Sequence, residues 1–150
     1  MERNVGLLWS TMIIATLLFA PVYTHDIAFL DGSNGSDYSG CGTATSPCLS
    51  ISYILGQFRN VANETQLDIV LANNLTLSSL ILLNDAKYPI IHFTSVDGMR
   101  YTLDMSEGSL SSYFSTIKIT NIFIKNAEIN SRFIILENVK YKQLILESAE

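Results

Sequence analysis

Two stretches near the C-terminus decide the fold: IKITNIFIK at 117–125 and IILENVKYK at 134–142. Laid over one another, Ile117, Ile119, Asn121, Ile122, Ile124 and Lys125 fall on Ile134, Leu136, Asn138, Val139, Tyr141 and Lys142. Apolar residues alternate in both stretches, which is the period of a β-strand with one face in a core. The Asn recurs at the same place. In a stack of similar rows, equivalent inward residues lie on one another, and an Asn at each corner can satisfy exposed backbone groups while its carboxamides form a ladder. A β-sandwich has no reason to repeat an Asn in register. The expectation is therefore an asparagine ladder of Asn121 and Asn138 within a repeating all-β stack.

Working back from the repeat, period two begins at Gln66. LDIVLANNLTL puts Leu67, Ile69 and Leu71 on one side and, after Asn73-Asn74, continues with Leu75 and Leu77. Further strands are predicted at 80–83, 90–94, 101–103, 116–119, 122–124, 133–136, 139–141 and 144–146. The breaks are small polar groups such as Asn84-Asp85, Asp97-Gly98 and Ser106-Glu107-Gly108.

The region before Gln66 is different. Ile27–Leu30 is a short apolar stretch, and DGSNGSDYSGCGTATS follows, with four glycines among Asp, Ser and Asn. That composition predicts a loop. Cys41 and Cys48 are the only cysteines, and an even count in an exported chain favours a disulfide that staples this loop. Next, Ser46 is placed to cap a helix and Pro47 suits its first turn. Ile51, Ile54, Leu55 and Phe58 recur at helical spacing, so a short amphipathic helix is predicted over 47–59.

Export itself is read from the first residues. Arg3 precedes VGLLWSTMIIATLLFA at 5–20, and Pro21, Thr24, His25 and Asp26 end the apolar run. A positive start, a short apolar centre and a polar mature start are the pattern of a signal peptide, assigned to 1–24. The rival reading is an uncleaved anchor, the one route to membrane contact. Asn34, Asn63 and Asn74 head N-x-S/T triplets and are candidate glycosylation sites in an extracellular or cell-surface protein. The 150 residues carry a net charge of -5, with 15% charged and 48% hydrophobic. That balance excludes a disordered acidic tail, and with no Lys/Arg cluster it excludes nucleic acid as a partner.

Residues 29–55, FLDGSNGSDYSGCGTATSPCLSISYIL, resemble the N-terminal opening of secreted right-handed parallel β-helix proteins of the pectin-lyase-like superfamily. Asp31, Gly32, Gly35, Ser36 and Asp37 match that family's first turn. Ser46, Pro47, Ser50, Ile51 and Leu55 match its capping helix, although Ile54 stands where the family usually has Ala. The resemblance implies an all-β right-handed parallel β-helix, a solenoid, and the strand pattern of FIILENVKYKQLIL at 133–146, with no second capping helix after it, leads to the expectation that it is incomplete within this chain. A cap with the disulfide loop and capping helix would occupy 25–60, and the first turns of the β-helix 61–150. The open cross-section of a first turn needs a cover, and the amphipathic helix suits that task.

Chemistry is sparse. Asp97 with Asp104, and Lys125 with Lys142, lack the additional groups that would complete an acid/base or metal site. The Asp31–Asp37 loop has oxygen ligands at alternate positions but no bidentate Glu, so it reads as a turn. His25 and His92 have no Ser/Asp or Cys partner pattern in sequence. No cofactor, metal or catalytic residue is assigned. The expected function is a non-catalytic scaffold for adhesion or carbohydrate recognition, its partner a polysaccharide or cell-surface glycan. The alternative is the N-terminal part of a polysaccharide lyase or hydrolase whose catalytic residues lie beyond residue 150. A third reading, a disulfide-stapled β-sandwich for protein recognition, requires two facing sheets.

Overall fold

A computed structural model of the chain describes residues 25–58, 65–83 and 88–148. The leader at 1–24 and the acceptor Asn63 lie outside them. Strand β1 (His25–Leu30) is followed by one helix, α1 (Ile51–Gln57). Ten strands come after it: β2 (Gln66–Leu71), β3 (Leu75–Thr76), β4 (Leu80–Leu82), β5 (Ile90–Ser95), β6 (Thr102–Asp104), β7 (Ser109–Ser112), β8 (Thr116–Thr120), β9 (Phe123–Ser131), β10 (Ile134–Glu137) and β11 (Lys140–Glu147).

Every pairing between these strands is parallel. Parallel neighbours cannot be joined by hairpins, so the chain must travel across the molecule before it returns to the same sheet. It does so in order. One sheet runs β1-β2-β5-β8-β10, and the strands between them in sequence build the other, β3-β6-β9-β7-β4, with β11 on β9. The all-β architecture expected from the repeat is present, and its strands pair in parallel, as the resemblance implies.

The core follows from register. In the first sheet Ala28, Ile69, Phe93, Ile119 and Leu136 form one column, and Leu67, Ile91, Ile117 and Ile134 another. Since alternate residues of a strand share a face, these columns put the same side of every strand in the interior. Burying each such Ile, Leu or Phe contributes roughly 1.5–3 kcal/mol. Asp26 heads the second column, where the Tyr88 hydroxyl donates to its carboxylate.

The repeat seen in sequence is the register of the last two rows. Ile117 pairs with Ile134, and Phe123, Ile124 and Lys125 pair with Lys140, Tyr141 and Lys142, each seventeen residues on. Asn121 and Asn138 both adopt the left-handed conformation, φ 56° and 52°, which Asn tolerates better than other side-chain-bearing residues.

Several expectations need correction. The helix starts at Ile51 and its N-cap is Ser50, whose hydroxyl accepts from the Tyr53 N–H. Ser46 and Pro47 stand outside it. The backbone there is already committed to β1: Cys48 donates to the Phe29 carbonyl and accepts from the Asp31 N–H, both at 2.9 Å. A segment hydrogen-bonded as a strand cannot also begin a helix.

The short strands expected at 122–124 and 139–141 are parts of longer ones. β9 and β11 pass through left-handed residues, Asn126 and Gln143, and continue at an angle. The first arm of β9 thus pairs with β6 and the second with β7. β7 itself, sequence SLSS, was not expected, because its Ser111 and Ser112 are buried polar residues that break the apolar alternation.

Candidate functional site

The N-terminal loop is held by its own carboxylates. Asp31 Oδ1 accepts from the backbone N–H of Ser33 and Asn34, each at 2.9 Å, which turns the chain away from β1. Burial pushes the Asp31 carboxyl up, but the Asn34 and Ser33 amides together outweigh it and hold the group below its ordinary value.

Asp37 reaches across to the helix start. It accepts from Leu49 N–H at 2.8 Å, Ser50 N–H at 3.0 Å and the Ser50 hydroxyl at 2.7 Å. Both carboxylates are thus engaged as turn and cap groups. A disulfide joins Cys41 to Cys48, with Cα atoms 5.0 Å apart. Gly35 is required by close approach, since an added Cβ would lie 2.3 Å from the Cys48 carbonyl. Ile51, Ile54 and Leu55 are buried in one cluster with Ala28, Leu30 and both cysteines, and Phe58 packs against it.

The outer face of the first sheet carries polar groups that sequence reasoning left apart. Asp68 is in register with His92, and its Oδ1 accepts from His92 Nδ1 at 2.8 Å. The other ring nitrogen, Nε2, meets Thr120 Oγ1 at 2.7 Å, and Thr120 donates onward to Thr94 Oγ1 at 3.1 Å. His25 adds a second imidazole 3.6 Å from Asp68.

His92 is therefore not isolated, contrary to its reading in sequence. The order carboxylate, imidazole, hydroxyl is that of a nucleophilic triad. Here Thr120 is buried, and its hydroxyl also lies 3.1 Å from Thr94 Oγ1.

Thr94 also lines a groove of about 670 Å3. Its floor is the outer face of β1, β2 and β5, with Ile27, Phe29 and Val70, and its wall is the loop Val96–Arg100. Gly98, at φ 74°, turns that loop back over the sheet. Asn121 and Asn138 close one end.

At that end Asn138 Nδ2 donates to Asn121 Oδ1 at 2.6 Å, and Arg100 donates to Asn138 Oδ1 at 2.8 Å. The two ladder residues named from sequence are thus in contact, and Arg100, which was not named, ties the groove loop to them. Apolar floor and charged rim together can take a ligand that has both faces.

Elsewhere, Lys125 and Asp104 are not separate surface charges. They pair at 2.7 Å on adjacent strands, and the Lys125 ammonium, with Asn126 and Ser106, holds the Asp104 carboxyl at about 2 despite some desolvation. Asn34 is exposed and donates through its amide to Asp31. Asn74 is also exposed, with its side-chain oxygen accepting from Thr102 N–H at 2.8 Å. Asp37, Cys41 and Cys48 lie together, but both sulfurs are spent in the disulfide and offer no thiolate. Among the described residues no helix is long and apolar enough to cross a membrane.

Against this geometry, comparison with protein-family models, curated proteins and solved structures finds no match.

Proposed function

We propose that the stacked rows are turns of a right-handed parallel β-helix and that the chain is a secreted or cell-surface scaffold that binds a glycan in the groove beneath the Val96–Arg100 loop. The observation that carries this reading is the groove's make-up. Phe29 and Val70 offer an apolar floor to the C–H face of a sugar ring, while Asp97, Arg100 and Asn138 offer charged and amide partners to its hydroxyls. The disulfide supports an oxidising compartment, and parallel pairing throughout supports the resemblance of residues 29–55 to pectin-lyase-like proteins.

Titration of isotope-labelled protein with neutral and acidic oligosaccharides tests it. Expected are shifts centred on Thr94, Gly98 and Arg100, and a loss of affinity of roughly tenfold in Arg100→Ala, the scale of one hydrogen bond to a charged group. Shifts elsewhere, or none with oligosaccharide in the millimolar range, reject the reading.

A second reading, part of a polysaccharide lyase or hydrolase, is favoured by His92 standing between Asp68 and Thr120. It requires cleavage products from polysaccharide that disappear in His92→Ala while groove binding persists.

A further inference from the structure

The hydroxyl that Thr94 brings to the groove belongs to a chain of polar groups whose direction an imidazole can set. His92 Nδ1 lies 2.8 Å from Asp68 Oδ1. The Gln66 amide donates to that same oxygen, so the carboxylate is an acceptor and the hydrogen stands on Nδ1. Nε2 is then the nitrogen whose state can change. It faces Thr120 Oγ1 at 2.7 Å, and Thr120 Oγ1 faces Thr94 Oγ1 at 3.1 Å.

Each threonine hydroxyl has one hydrogen to give. Beside a neutral imidazole, Thr120 gives its hydrogen to Nε2 and accepts from Thr94, whose oxygen then turns only lone pairs to the groove. Once Nε2 takes a proton it is a donor, so Thr120 accepts from it and gives its own hydrogen to Thr94. The Thr94 hydrogen is thereby released toward the groove that this residue lines. One proton comes from solvent, each oxygen keeps one hydrogen, and only the direction of the bonds is reversed.

We propose that protonation of His92 reverses this chain and converts Thr94 from an acceptor into a donor toward the groove's ligand, an inference that rests on the groove being the binding site. Asp68 on β2 favours the imidazolium, and Lys118, in register with His92 on β8, opposes it. Lys118 is itself paired at 3.1 Å with Glu137, which is in register with Thr120, and His25 of β1 shares Asp68 from 3.6 Å. Asp97 and Arg100 line the same groove as Thr94. Among the described residues His92 is the titratable group in contact with Thr120.

Nuclear magnetic resonance of the oxidised, isotope-labelled chain tests the proposal without a ligand. His92 Nε2 and Thr94 Cβ are followed from about pH 8 to about pH 5, where an ordinary imidazole changes charge. Expected is a step at Thr94 with the midpoint of His92, kept in Thr120→Ser and His25→Gln and lost in Thr120→Val. The Val variant retains the His92 charge two residues from Thr94, so a step that survives in it is a field effect and overturns the proposal. A His92 that does not titrate, or a Thr94 that does not follow it, overturns it as well. Circular dichroism checks the fold, and Thr120→Ala serves if Thr120→Val does not fold.

Ligand binding gives a second readout. A carboxylate can only accept, so an acidic oligosaccharide that binds should gain about fivefold in affinity as His92 becomes charged, the scale of one hydrogen bond. A neutral one, whose hydroxyls serve either way, should not, and the gain should vanish in Thr120→Val. An acidic oligosaccharide bound without that gain overturns the proposal. If no oligosaccharide binds, the groove reading fails, and the step at Thr94 still decides the relay.

Discussion

At the β1 end, Ala28 and Leu30 are fully buried in a cluster with Ile51, Ile54 and Leu55 of the helix. At the β10–β11 end, Ile134, Leu136, Val139 and Leu144 continue the inward columns but remain partly exposed. The residue types are alike and the alternation is alike. In a parallel stack an inward side chain is covered from both sides only when another layer follows it, so position along the stack sets what an apolar residue contributes.

The strongest way to break this comparison is to remove one side chain from the middle of a column and one from its end. Phe93→Ala, in a fully buried site between Ile69 and Ile119, should cost about 3–5 kcal/mol. Leu136→Ala, two rows on in the same column, should cost less than half as much. Urea unfolding of both variants measures the difference, and equal losses would mean that the C-terminal row is as well covered as the centre.

The disulfide sharpens the comparison from the other side. Cys41 and Cys48 close a loop of six intervening residues, and replacing both with Ser should lower stability by about 2–3 kcal/mol on the chain-entropy estimate. Hydrogen exchange should rise at Leu30 and Tyr53 before it rises at Ile119. A uniform rise across all rows would show that the cap is not a separate element.

Corner residues test a smaller effect. Asn121→Ala removes a ladder hydrogen bond and leaves a Cβ-bearing residue without Asn's tolerance at φ 56°, together about 1–2 kcal/mol. Asn121→Gly, which relieves the backbone but not the ladder, should recover part of that loss in thermal unfolding.

The smallest effect is electrostatic. Asp104 has its carboxyl at about 2 in the folded protein against an ordinary 3.8. Its contribution is therefore present in full above pH 3.8 and is lost as the pH falls from there through about 2. The pair is partly exposed, so ~0.2–1 kcal/mol is expected. Acid titration of stability in Asp104→Asn should lack this component.

The same contrast explains what could be read in the sequence. The last two rows are of equal length and uninterrupted, so Ile117–Lys125 and Ile134–Lys142 align by inspection. The second corner, Asn126 over Gln143, obeys the same spacing and could have been found from it. Earlier rows differ in length. Asp68 meets His92 twenty-four residues on, whereas His92 is opposite Lys118 after twenty-six. With no constant period, the Asp68–His92–Thr120 array leaves no mark in the sequence, and neither does the approach of Arg100 to Asn138. Ser46 and Pro47 carried a valid helix-start signal, but the strand-like hydrogen bonds of Cys48 with β1 overrode it. The buried serines of β7 give no strand signal in sequence, and the partner of Ser112 exists only in the fold, where its Oγ accepts from Ser115 N–H at 2.9 Å.

The unequal spacing of rows also has a mechanical consequence. If the chain is pulled from its two ends, rows held only by their neighbours should peel singly from the β11 side, and each should release its own length of chain. The seventeen residues separating Ile117 from Ile134 correspond to about 60 Å of extended backbone, and the twenty-four separating Gln66 from Ile90 to about 80 Å. The first row should yield last and release less than its residue count implies, because the segment between Cys41 and Cys48 is closed by a covalent bond and cannot be drawn out. A force–extension trace would then be a staircase of uneven treads whose sequence is the order of the rows.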